Sequence, residues 1–157
     1  MRDIIRIFYS FARISDDIAD NNNLISLKKL KILNFFDESI RNSKKSEIDF
    51  LDKIIHLSEE FPKSKNYSRE LLKAFTLDAT KKRYKNWDDL VSYCKFSANP
   101  VGRFFIYLTY KINNQSLDNE KKIFESSDNL CTALQIINHI QDCKDDYLNH
   151  DRVYIPS

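Results

Sequence analysis

DNLCTALQIINHIQDCKDDYLNH, residues 128 to 150, carries two patterns at once. Leu130, Leu134, Ile137 and Ile140 recur at steps of three and four and make one apolar helical face. Gln135, Asn138, Asp142 and Asp146 recur at the same steps and make a polar row opposite it, flanked by His139 and Asp145. The periodicity predicts one long helix over 118–148, followed by an extended exit through Asp151-Arg152-Val153-Tyr154-Ile155-Pro156.

The N-terminal end repeats the arrangement. Residues 2–20 read as a helix with Ile4, Ile7, Phe11, Ile14 and Ile18 as its apolar face. Tyr9, Arg13, Asp16 and Asp20 form a polar row on it, with Asp17 to one side. Further helices are expected over 24–41 and over 47–60, the latter closed by Phe61-Pro62. A fourth, with Ser68 as N-cap, is expected to run to about Tyr84. A fifth starts at Asn86 or Asp88, is interrupted at Pro100, and resumes from Val101 to Ile112. A single glycine (Gly102) and three prolines leave too few turn-formers for a β-rich fold. An all-α chain forming a single domain over 1–157 follows.

Composition excludes several classes. With 25 basic and 23 acidic side chains interleaved and a net charge of +2, no electrostatic case exists for a nucleic-acid partner. Cys94, Cys131 and Cys143 lack the spacing of a zinc site or a disulfide framework and read as free thiols of a reducing compartment. No apolar run spans a bilayer, and the N-terminus lacks a signal-peptide pattern, so the expected location is the cytoplasm or its membrane surface. Lys81-Lys82-Arg83 could attract a diphosphate or an anionic membrane, and more simply forms a solvated helix face. Trp87 reads as a packing anchor, and His56 and His150 as surface residues.

Two aspartates one turn apart repel each other unless something offsets the charge. Mg²⁺ prefers oxygen ligands and takes one or two carboxylates plus substrate phosphates. A pair on each of two helices could therefore grip a diphosphate from both sides, with Arg13 binding it through its planar fork. An ordinary solvated helix shows the same alternation of faces. Against that reading, the row from Gln135 to Asp142 contains no Lys or Glu, which solvated faces usually favour.

Three ordered segments resemble the squalene/phytoene synthases: FYSFARISDDIAD (8–20), DATKKRYKNWDDLVSYCKFSANPVGR (78–103) and DNLCTALQIINHIQDCKDDYLNHDRVYIP (128–156). The resemblance implies an isoprenoid synthase type I helical bundle with both aspartate rows facing a central cavity. It implies that Asp16, Asp20, Asn138, Asp142 and Asp146 bind Mg²⁺. It implies that Tyr9, Arg13, Gln135 and Arg152 hold the diphosphate, and that Tyr93 lies near the reacting carbons. The bland reading of Tyr93 is a core tyrosine with a satisfied hydroxyl. The variants Ser-Ala-Asn-Pro-Val-Gly-Arg and Asn-His-Ile-Gln-Asp look like the bacterial hopanoid-pathway branch, which includes conversion of presqualene diphosphate to hydroxysqualene. Condensation of two farnesyl or geranylgeranyl diphosphates is the alternative.

Family members are considerably longer, so the bundle is expected to be incomplete at both ends. A fragment, a degenerate copy and a non-catalytic helical partner subunit are all compatible with that. Apolar faces left bare predict self-association or poor solubility.

Overall fold

The computed structural model describes residues 1–156. These form eight helices: α1 (Arg2–Asp20), α2 (Ser26–Asn42), α3 (Asp49–Glu60), α4 (Pro62–Asp78), α5 (Trp87–Ser97), α6 (Asn99–Ile112), α7 (Glu120–Gln141) and α8 (Cys143–His150). α4 is the axis of the bundle, packing against α1, α2, α3, α5 and α6. α7 lies on α5 and α6. The main core gathers Phe8, Phe11, Leu33, Phe36, Ile40, Leu51, Ile54, Leu71, Leu72, Phe104 and Leu108. Phe8 and Phe104 stack at its centre, ring centroids 3.9 Å apart. A smaller cluster of Ala74, Tyr84, Leu90, Tyr93, Cys94 and Tyr154 joins the C-terminal tail to α4 and α5.

Several boundaries differ from the sequence expectation. α4 starts at Pro62 rather than Ser68. A proline has no N–H to lose at a first helical position, where it opens a helix as readily as it closes the preceding one. Ser68 is buried inside α4, and its hydroxyl has no partner. α4 ends at Asp78, not Tyr84. Asn86 is the N-cap of α5, its side chain accepting the Asp89 amide at 2.9 Å. The break before α6 falls at Ala98, and Pro100 sits in the first turn of α6, again where proline is tolerated.

The expected long C-terminal helix is two, divided at Asp142. The backbone amides of Asp142 and Asp146 still donate to the carbonyls of Asn138 and Asp142, each at 2.8 Å. The four-residue step therefore survives the division. Trp87, expected as a packing anchor, is about half exposed at the start of α5. Lys81, Lys82 and Arg83 lie beyond the end of α4 and are not a helix face. They clip the tail: Lys82 Nζ donates to the His150 carbonyl at 2.6 Å, and Arg83 pairs with Asp151 at 2.7 Å. Lys81 pairs with Asp89.

On α1 the apolar face read from the sequence packs inward: Phe11 is fully buried, and Ile4, Ile7 and Ile18 lie partly buried against the main core. α1 also buries Phe8, Ser15 and Ala19, the edge beside its polar row. α7 instead turns its polar row inward and leaves Leu130, Leu134, Ile137 and Ile140, the apolar face read from the sequence, each about half exposed or more. None of the helices is long and apolar enough to cross a membrane among the described residues.

Gly102 lies where α6 meets α7, and a Cβ there would run into Ser127 Oγ and Cys131 Sγ. Gly102→Val is therefore expected to destabilise the chain by about 1–3 kcal/mol through overpacking. A lower midpoint in urea unfolding is the measurement that checks it.

Candidate functional site

α1, α4, α5, α6, α7, α8 and the tail enclose a cavity of about 380 Å³. α1 contributes Tyr9, Arg13, Asp16 and Asp20 to its wall, and α5 contributes Tyr93. α7 contributes Gln135, Asn138 and His139. Asp142 stands at the division between α7 and α8, Asp146 comes from α8, and Arg152 and Tyr154 come from the tail. All ten side chains to which the resemblance gives a role line this one cavity. The remaining wall is largely apolar, from Ala12, Leu71, Phe75 and Val101. The lining thus combines carboxylates with hydrocarbon.

Local electrostatics reflect the crowding of like charges. Burial, then the neighbouring Asp20 and Asp78, push the Asp16 carboxyl up to about 7. Burial, and then Asp142, raise Asp146 as well, against the pull of Arg152. Arg13 answers part of the charge on its own helix, reaching Asp16 at 3.5 Å and Asp17 at 3.0 Å.

The floor of the cavity holds a network that the sequence reading missed. Asp78, buried at the end of α4, accepts the Tyr93 hydroxyl on Oδ2 at 2.7 Å and the Tyr154 hydroxyl on Oδ1 at 2.7 Å. Arg152 donates to Tyr154 Oη at 2.9 Å, to the Asp78 carbonyl at 2.9 Å and to Asp20 Oδ1 at 3.0 Å. Its Nε is buried without a partner. Burial pushes Asp78 up to about 6, while Arg152 and the two hydroxyls pull it back toward the ionised form. Burial works against the Arg152 charge, but Tyr154, Asp78 and Asp20 outweigh it and hold the guanidinium protonated.

His139 stacks on Tyr154 with ring centroids 3.7 Å apart, and its Nε2 lies 3.2 Å from the Gln135 amide nitrogen. Burial and then the Arg152 charge lower its pKa to about 4, so the ring is neutral. His150 is not a plain surface residue, since its Nε2 lies 3.9 Å from Asp20. The signal for Asp78 was present in the sequence. It continues the inward stripe of Leu71 and Phe75, where a lone carboxylate needs partners.

Tyr93 satisfies the bland reading of its hydroxyl, because that hydroxyl is bonded to Asp78, and its ring still lines the cavity. Among the described residues no three His, Cys, Asp or Glu side chains converge as a ready-made metal cage. The donors that do line the wall are hard oxygens in pairs. They fit a cation that keeps water and takes the rest of its shell from phosphate.

The sequence model of squalene/phytoene synthase matches residues 1–157. The chain is 37% identical over 158 residues to a hydroxysqualene synthase of Sinorhizobium fredii, covering 99% of this chain and 50% of that protein. It is 38% identical over 157 residues to a hydroxysqualene synthase of Zymomonas mobilis, again over 99% of this chain and 50% of the relative. The crystal structure of squalene synthase HpnC from Alicyclobacillus acidocaldarius superposes with a TM-score of 0.78 at 27% identity, covering 99% of this chain and 56% of the other. The chain therefore spans about half the length of the curated relatives it matches. With the match running from end to end and the fold shared, the chain belongs to the squalene/phytoene synthase family.

Proposed function

We propose that this chain forms the diphosphate-binding half of an Mg²⁺-dependent isoprenoid enzyme that ionises presqualene diphosphate toward hydroxysqualene. The observation that carries the reading is the convergence of Asp16 and Asp20 with Asp142 and Asp146 on one cavity that apolar side chains also line. The hydroxysqualene synthases among the relatives favour this subtype over head-to-head condensation of farnesyl diphosphate.

Asp16, Asp20, Asn138, Asp142 and Asp146 would hold magnesium, which when bound supplies Lewis-acid neutralisation of the diphosphate oxygens. The chain's own side chains do the rest. Arg13 offers a planar fork to phosphate, and Tyr9, two-thirds exposed, offers a hydroxyl at the rim. Gln135 presents its amide beside the neutral His139. Ala12, Leu71, Phe75, Val101 and the Tyr93 ring give an apolar wall that keeps stray water from an allylic or cyclopropylcarbinyl cation.

A second reading has its own support. The bare row Leu130, Leu134, Ile137 and Ile140 suits a helical subunit that needs an apolar partner before it can enclose substrate. Thermal unfolding with magnesium and a farnesyl diphosphate analogue separates the two. Stabilisation that needs both components supports the enzyme, because only a ligand of the folded state raises the midpoint. No shift at saturating metal supports the partner subunit.

The raised Asp16 carboxyl gives a sign for pH. Below about 7 it holds a proton that a cation must displace. Metal binding should release protons and weaken as pH falls through that value. Calorimetry in two buffers of different ionisation enthalpy reads the release directly, and identical heats in both would contradict it.

A further inference from the structure

We propose that Asp78 is a positioning residue whose charge keeps Asp20 available to a cation. This rests on the functional reading above but assigns Asp78 a task of its own.

The argument is one of charge balance in a buried place. Arg152 is nearly inaccessible, and its guanidinium reaches two carboxylates: Asp20 Oδ1 at 3.0 Å and Asp78 Oδ1 at 3.9 Å. Tyr154 closes the second link, accepting from Arg152 at 2.9 Å and donating to Asp78 at 2.7 Å. Asp78 is nearly inaccessible, whereas the Asp20 side chain, which lines the cavity, keeps about a third of its surface exposed. Asp20, Arg152 and Asp78 together carry one net negative charge. That charge is left on the accessible member. Without Asp78 the Asp20–Arg152 pair would be neutral, and an approaching cation would have to compete with a buried guanidinium for the Asp20 oxygens. Electrostatic attraction in a site of low effective dielectric is strong enough for that difference to govern affinity.

The geometry also explains why the tail returns to α4. The Val153 amide donates to the Lys82 carbonyl at 2.9 Å, which brings Arg152 and Tyr154 down onto the end of α4 where Asp78 stands. The clip formed by Lys82 and Arg83 thus delivers the cation of the tail to a buried carboxylate able to balance it. Asp78 holds the Tyr93 hydroxyl with its other oxygen, so the same residue sets the orientation of the tyrosine ring on the cavity wall.

The test uses Mn²⁺ alone, whose free aqueous ion loses its electron paramagnetic resonance signal on binding. It is titrated into the chain at mildly alkaline pH. Asp78→Asn is expected to bind Mn²⁺ about tenfold more weakly than the unaltered chain. Asp78→Asn combined with Arg152→Met removes both charges and leaves Asp20 negative again, and its affinity should return to within about threefold of the original. Recovery on removing a second group is not what a purely structural role for Asp78 would produce. An unchanged affinity in Asp78→Asn overturns the proposal, as does a double variant no better than the single one. Should Asp78→Asn lose cooperative unfolding, the double variant, which leaves no uncompensated buried charge, carries the test against the unaltered chain: an affinity more than about threefold below it counts against the proposal. Failure of the unaltered chain to bind Mn²⁺ at all would instead sink the functional reading itself.

Discussion

Asp142→Asn is expected to abolish the magnesium-dependent stabilisation of the chain by a farnesyl diphosphate analogue, and Asp16→Asn to do the same. Each substitution keeps the shape of the side chain and removes one of two carboxylates in its row. A hard divalent cation held by one or two carboxylates and phosphate has little else from the protein to hold it. Ligand at about a hundred times its dissociation constant stabilises a folded chain by about 2.7 kcal/mol, so loss of binding is easily read as loss of the shift. In the enzyme proposed above, each substitution should lower diphosphate release by about 10³-fold, on the scale of losing a main electrostatic contact to the developing charge. Two variants that shift and turn over like the parent would refute the metal assignment. One that fails beside one that does not would place the cation on a single row.

Arg152→Ala should be the most damaging single change to the fold among the cavity residues. It removes a buried cation and leaves the Asp78 carboxylate buried with two tyrosine hydroxyls as its side-chain partners. Breaking a buried pair from one side costs about 3–5 kcal/mol, because the remaining charge is uncompensated. That is a large part of the stability of an ordinary domain. The tail would also lose its links to Asp20 and to the Asp78 carbonyl. Urea unfolding followed by circular dichroism measures the effect. Arg152→Lys should recover only part of it, since a point-charge ammonium cannot span Tyr154, Asp20 and the carbonyl together as the planar fork does. A loss below about 1 kcal/mol for Arg152→Ala would mean that the network contributes little to holding the tail.

The helical class and the membership of the two polar rows were legible in the chain. Both depend on short-range geometry: side chains three and four residues apart share a face whatever surrounds the helix. Tyr9, Arg13, Asp16 and Asp20 on one side, and Gln135, Asn138, Asp142 and Asp146 on the other, could be grouped without knowing where either helix points. Helix boundaries beside proline were harder to read. Pro62 and Pro100 each end one helix and begin the next, and local propensity does not say which role prevails.

What local pattern could not supply was the direction of each face. In α1 the apolar face packs into the core, whereas in α7 Leu134 and Ile137 are exposed and the polar row lines the cavity. Hydrophobicity predicts burial when water is the only alternative, and a chain that encloses a polar cavity breaks that rule at the cavity wall. Asp78 escaped notice for a related reason. Its partners are Tyr93 on another helix and Arg152 and Tyr154 in the tail, more than seventy residues away in the case of the tail. Local sequence alone determined that this chain is helical and that it carries two rows of oxygen donors. Only the tertiary structure decided that the rows meet and that a buried aspartate stands beneath them, because burial and charge pairing are properties of neighbours brought together by packing.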